Sequence, residues 1–258
     1  MNLSSPDQKP SALPASPESI QPQAVHVALP SLVPMATYVI LGFTVLIYLL
    51  QMASTAILNN DLPLMLGARA NDLIRSGQWW RFITPVFLHG SVMHIFFNMY
   101  ALLSIGSFLE RHFGHGRFVL LYFLGAFAGN VFSFLLTTGY SVGASTAVFG
   151  LVAAEVIFFY QNRKLFGGQA KNAISNAVFI IVVNLLIGMS PGIDNWGHVG
   201  GLLGGAMFAW FAGPSWKVAG IYPDFHLEDK RELREITTGA SVTVLVFGAL
   251  AALGLLKG

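Results

Sequence analysis

The 258-residue sequence contains no cysteine, which excludes a thiol nucleophile, a disulfide framework and a cysteine metal site. Charge is scarce too. Only 10% of residues are charged against 54% hydrophobic, and the mean hydropathy is +0.64, well outside the composition of soluble domains. A chain so poor in charge is a polytopic membrane protein. Its small excess of basic residues, net +2, lies in loops between apolar runs. Such an excess reports topology in a lipid bilayer and gives no nucleic-acid surface. A charged start followed directly by an apolar run is missing, so no signal peptide is read. Residues 1–34 have no arginine and contain Asp7 and Glu18, unlike a mitochondrial transit peptide. Their seven prolines among serine, glutamine and alanine predict a disordered tail.

What is present is a series of apolar runs at 35–58, 93–109, 118–136, 144–160, 173–189, 197–211 and 239–256. Each is near the length that crosses a bilayer core of roughly 30 Å, the fourth and sixth falling short of the usual ~20 residues. The predicted fold is an all-α, polytopic helical bundle. It comprises a tail (1–34), a six-helix core (35–213), a charged cytoplasmic linker (214–235) and a seventh helix (236–258). Loops after the even-numbered spans carry nine basic residues, whereas the opposite side carries Arg69, Arg75, Arg81 and Lys257. That asymmetry predicts a cytoplasmic amino terminus and an outside carboxyl terminus, in the inner (plasma) membrane. Trp79-Trp80-Arg81-Phe82 before the second span suits either an element in the headgroup region or an ordinary amphipathic external loop.

Chemistry is concentrated at a few polar residues. Gly143-Ala144-Ser145 opens the fourth run, and Gly197-His198-Val199-Gly200-Gly201 opens the sixth. The fourth run, 16 residues from Ser145 to Tyr160, extends only about 24 Å, so Ser145 lies below the outer surface and needs a wet cavity. Gly197, Gly201 and Gly205 form a stripe that permits close packing against Ala147, Gly150 and Ala154 of the fourth span. That pairing brings a hydroxyl beside an imidazole. His94 and Asn98, four apart in the second run, share a helix face, and polar groups at that depth are functional candidates; the bland alternative is a histidine bonded to a neighbouring loop. His112 and His115 read as solvated loop residues, and Glu155, some 15 Å deeper than Ser145, as a structural or paired carboxylate.

Together these features resemble the rhomboid family of intramembrane serine proteases. Gly143-Ala144-Ser145 matches its G-x-S motif, and His198 with Gly200, Gly201 and Gly205 resembles its H-x-x-G-x-x-x-G pattern. His89 with His94-Ile95-Phe96-Phe97-Asn98 resembles its H-x-x-x-x-H-x-x-x-N pattern, and Trp80-Arg81 and Glu110-Arg111 look like further landmarks. The resemblance implies Ser145 as nucleophile and His198 as general base and then acid, a dyad without a carboxylate, cofactor or metal. It implies oxyanion donors from His94, Asn98 and the Ser145 N–H, and support from His89, Phe149, Gly143 and Gly201. The N–H also follows from physics, because the first N–H groups of a helix are unpaired and its positive end favours developing negative charge. Phe149 stands where many members have tyrosine, and Thr146 where glycine is common. The implied substrates are single-pass transmembrane proteins; the alternatives are a silent relative that binds membrane clients and a transporter.

Overall fold

The computed structural model describes residues 32–221 and 223–257, so the Pro-rich stretch up to residue 31 lies outside the described residues. Helix α1, Met35–Leu58, is 24 residues without a charge. Its own N-cap, Pro34, supplies no side-chain acceptor. The Glu110 carboxylate fills that role from 73 residues away, accepting the Ala36 and Thr37 N–H groups at 2.7 Å each and the Thr37 hydroxyl at 2.6 Å. An anion at the positive end of a helix dipole is favourable, and a buried one needs such donors.

Residues 59–91 fold into short helices. Helix α2, Leu62–Gly67, is capped by Asp61, and α3 covers Asn71–Arg75; 3-10 turns follow at Trp79–Phe82 and Thr84–Phe87. Arg81 is buried and donates to the Ala68 and Met65 carbonyls at 2.6 and 2.7 Å and to Gln78 Oε1 at 2.8 Å. The Trp80 indole donates to the Leu66 carbonyl. Arg81 therefore holds the loop together from inside instead of lying among headgroups. The carbonyls it covers would otherwise be orphans at the end of α2.

The second crossing is a single run of helix with a fault in it. It comprises α4, Val92–Ala101, a π-helical turn at Leu102–Gly106, and α5, Ser107–Phe113. Helix α6, His115–Leu136, follows; then come α7, Ser145–Gln161, the short α8, Arg163–Phe166, and α9, Gly168–Ile187. Helix α10 covers Asn195–Ala212. Strands β1, Trp216–Ala219, and β2, His226–Asp229, pair antiparallel with Trp216 opposite Asp229, and α11, Leu233–Leu256, completes the chain. Among the described residues five helices are long and apolar enough to cross a membrane. The two runs read as short are α7, at 17 residues, and α10, whose 18 residues are diluted by glycine. The molecule is an all-α polytopic membrane bundle. The charged segment between α10 and α11 is folded as a hairpin tied back to the bundle by Arg117–Asp229 at 2.5 Å.

Helix α10 runs through the middle, packed between α6 and α7 with α11 outside it. Its two glycine stripes divide the work. Gly201 and Gly205 meet the α7 backbone, where an added Cβ would strike the Thr146 and Gly150 carbonyls; Gly200 and Gly204 meet Ala128 of α6. Lipid tails are as apolar as side chains, so close backbone approach and dispersion hold such helices together. At the opposite end one sequence expectation is met only in part, His115 being exposed. His112 and His115 are not simply solvated: the half-buried His112 ring lies 4.3 Å from Phe108, and His115 Nδ1 meets Glu110 at 2.5 Å.

Candidate active site

Helix α7 starts at Ser145 because the chain before it cannot be helical. Gly143 has φ +128°, a region that L side chains rarely adopt, and a Cβ there would lie 2.7 Å from the His94 ring. The turn is anchored on both sides, Gly143 N–H donating to the Pro85 carbonyl at 2.9 Å and Ala144 N–H to His89 Nε2 at 3.4 Å. No side chain caps the helix, so its first N–H groups, Ser145 among them, face the site unoccupied by a cap.

Helix α10 starts with a cap. Asp194 accepts the Gly197 N–H at 3.1 Å, and His198 comes one turn in. Because Gly201 and Gly205 let α10 lie against α7, His198 Nε2 stands 3.0 Å from Ser145 Oγ. The Phe149 ring lies parallel to the imidazole, 4.2 Å away at 11°. His198 is buried, 8% exposed, and Ser145 is half-buried, so the hydroxyl is the reachable member of the pair. For Ser145 to donate to Nε2, the imidazole proton must sit on Nδ1, which has no partner among the described residues. Among the described residues no carboxylate is hydrogen-bonded to this histidine. The stacked Phe149 ring orients it instead, since offset stacking fixes both tilt and distance.

The nearest acid is committed elsewhere. The Asp194 carboxylate takes hydrogen bonds from the Ser133 hydroxyl, from Thr137 Oγ1 at 2.8 Å and from Gly197 N–H. Burial would push this carboxyl up, but those donors together with Ser141 outweigh it and hold it below its ordinary value. This network escapes sequence reasoning. Its one signal is Ser133 in the last turn of α6 with Thr137 just past the helix end, four residues on. Beside it, fully buried Arg69 donates to the Thr137 carbonyl at 3.1 Å and exchanges backbone hydrogen bonds with Ser141. The loop of residues 59–91 is thereby fastened to the segment that leads into Ser145.

The remaining sequence candidates gather at the same end. His94 abuts Gly143, and its ring centroid is 5.0 Å from that of His89, which is buried. Asn98 is buried on the same α4 face; its amide donates to the His94 carbonyl at 3.0 Å, and no hydrogen bond joins it to Ser145. An amide carries two N–H donors, so one remains for a ligand. Among the described residues no group of histidine and acidic side chains has the arrangement to hold a metal ion. A hydroxyl bonded to an oriented imidazole, beside the unpaired N–H groups of a helix start, has the parts needed for acyl transfer.

Comparison with known proteins agrees with this arrangement. A family model described as Rhomboid domain matches residues 76–215, which includes every residue of the site. The chain is 38% identical to Rhomboid protease GluP of Bacillus subtilis over 173 residues, 67% of this chain and 34% of that one. It is 33% identical to RHOMBOID-like protein 9, chloroplastic, of Arabidopsis thaliana over 168 residues, 63% of this chain and 39% of that one. It is 35% identical to Rhomboid-like protease 1 of Toxoplasma gondii over 163 residues, 58% and 56% of the two chains. The match thus spans little more than a third of the first two relatives. With more than half of its length matched by the domain and the motif residues meeting across α4, α7 and α10, the chain belongs to the rhomboid family.

Proposed function

We propose that the chain is an intramembrane serine endopeptidase that cleaves single-pass transmembrane segments near the outer membrane face, within a core spanning 35–213. The observation that carries the reading is the 3.0 Å contact of Ser145 Oγ with His198 Nε2 at the uncapped start of α7. Ser145 Oγ attacks the scissile carbonyl carbon while His198 Nε2 takes its proton. The carbonyl oxygen becomes an oxyanion held by the Ser145 N–H, with His94 and Asn98 as side-chain donors. The C–N bond then breaks as His198 returns the proton to the leaving amine, and a water repeats the sequence to free Ser145 from the acyl group. A backbone carbonyl inside an intact helix is already hydrogen-bonded. Preferred segments are therefore those loosened by small or helix-breaking residues near the site.

The test compares unaltered protein with Ser145→Ala and His198→Ala in detergent, using a single-pass model segment. Both variants are expected to fall to background cleavage, and a fluorophosphonate is expected to label unaltered protein alone. Full cleavage by either variant would sink the assignment. Cleavage without Ser145 labelling would point to a different nucleophile.

A further inference from the structure

At the end of the bundle opposite Ser145, α1 and the second crossing border a groove of about 510 Å³, lined by Tyr38 of α1 and by Ser104, Ser107, Arg111 and His112. That volume is within the roughly 300–1,000 Å³ of small-molecule sites. Its walls are fixed. The Glu110 carboxylate ties α5 to Ala36 and Thr37 of α1, and an added Cβ at Gly106 would lie 3.4 Å from the Thr37 hydroxyl. His112 Nδ1 is bonded to the Phe108 carbonyl at 2.8 Å, which holds that ring in place.

The polar groups of this groove are free. Arg111 is exposed and, unlike Arg117, has neither ion pair nor hydrogen bond among the described residues. Ser107 Oγ is buried without a partner, one χ1 step from the groove that its side chain lines. Ser104 is exposed within the π-helical turn, an irregularity that frequently marks functional sites. The adjoining carboxylate, Glu110, is fully buried and taken up by its donors on α1 and by His115. The groove therefore offers a cation and hydroxyls with no available anion.

These groups follow one another in depth. Ser107 and Ser104 lie four and seven residues before Arg111, so about 6 and 10 Å further into the bilayer. The polar layer of a leaflet is roughly 5–7 Å thick. A cation at its outer edge with hydroxyls at and below its inner edge matches a phospholipid, in which ester carbonyls and then hydrocarbon follow the phosphate. Leu103, 45% exposed, continues the groove as apolar surface along which an acyl chain fits. A soluble phosphate would leave that surface and both serines unused.

We propose that this groove binds one anionic phospholipid of the leaflet on the hairpin side. Arg111 holds its phosphate, Ser107 and Ser104 donate to its ester carbonyls, and Tyr38 closes the groove from α1. No free carboxylate stands ready for the ammonium of a zwitterionic headgroup, so an anionic lipid is preferred. The site is remote from Ser145 and does not rest on the protease reading.

The experiment titrates delipidated full-length protein in neutral detergent with phosphatidylglycerol or phosphatidylcholine and counts bound lipid by native mass spectrometry. One phosphatidylglycerol is expected to be held, and Arg111→Gln to weaken it about tenfold or more, the value of a charge-assisted hydrogen bond. Arg111→Lys is expected to retain part of the affinity. The pair Ser104→Ala with Ser107→Ala is expected to cost about threefold or more, and Lys164→Gln, exposed at the same end, nothing. Arg111→Gln removes no contact, so without lipid it is expected to unfold at the temperature of unaltered protein; added phosphatidylglycerol is expected to raise that temperature only where Arg111 is kept. Equal lipid binding or an equal rise in Arg111→Gln overturns the proposal, as does an equal loss in Lys164→Gln, which would mean diffuse surface charge. Displacement of the lipid by an equal concentration of glycerol 3-phosphate would make the site one for free phosphate and overturn it too.

Discussion

At the scale of single residues the proposed site depends on orientation where serine hydrolases with a full triad use a carboxylate. The Phe149 ring, parallel to His198, is the group that can hold the imidazole toward Ser145. Replacing it by alanine removes stacking of about 1 kcal/mol and frees the ring to turn. The expected result is a fall in kcat of about tenfold or more with KM nearly unchanged, whereas Phe149→Tyr stays within a few-fold, as kinetics on a model segment would check. Asn98→Ala is expected to cost more, about 10²–10³ in kcat, because the oxyanion-donor role proposed for it acts in the transition state alone. Asp194 bears on stability. Its folded carboxyl lies below the ordinary 3.8, so its contribution is complete above that value and is lost as the pH falls through the folded one. Thermal unfolding in detergent is expected to show a steeper acid loss, below about pH 4, in unaltered protein than in Asp194→Asn.

At the scale of elements the Ser145–His198 distance is set by how closely α7 and α10 approach. A side chain at Gly205 would meet the Gly150 backbone, which has no rotamer to yield. Gly205→Leu is therefore expected to separate the helices, removing fluorophosphonate labelling of Ser145 and lowering stability by about 1–3 kcal/mol or more. Gly248→Leu on α11, where an added Cβ meets nothing, is expected to leave both unchanged. This contact is legible in the sequence, although its partners are 53 residues apart, because each helix carries its own local signal: small residues at helical spacing, a short apolar run and a polar residue at its start. The Glu110 cap of α1, the Asp194 network and the burial of Arg69 and Arg81 are not legible. They join residues 13 to 74 positions apart, and no local period marks such partners. The catalytic roles assigned to Ser145, His198, His94 and Asn98 depend on the variants above, not on that contact.

At the scale of the whole molecule, the orientation rests on the sorting of basic residues, and the fold changes the sorting. Arg69 and Arg81, half of the basic residues on the Ser145 side, are buried and bonded to backbone carbonyls. Arginines that serve as internal caps do not report the potential at the membrane surface as loop residues do. The flanking charge that remains lies mostly at the opposite end, with Arg163, Lys164 and Lys171 around α8 and Lys217, Lys230 and Arg234 around the hairpin. By the positive-inside rule the orientation we propose puts that end in the cytoplasm, with the site opening outward. The absence of native cysteine makes this directly measurable. Ser190, exposed between α9 and α10, and Gln169, exposed at the start of α9, lie at the two ends of the same helix. In intact cells Ser190→Cys is expected to react with a membrane-impermeant maleimide and Gln169→Cys only after permeabilisation. The reverse pattern would invert the molecule and move cleavage to the cytoplasmic face. In that case the same Ser145–His198 pair would act on the other end of every transmembrane segment.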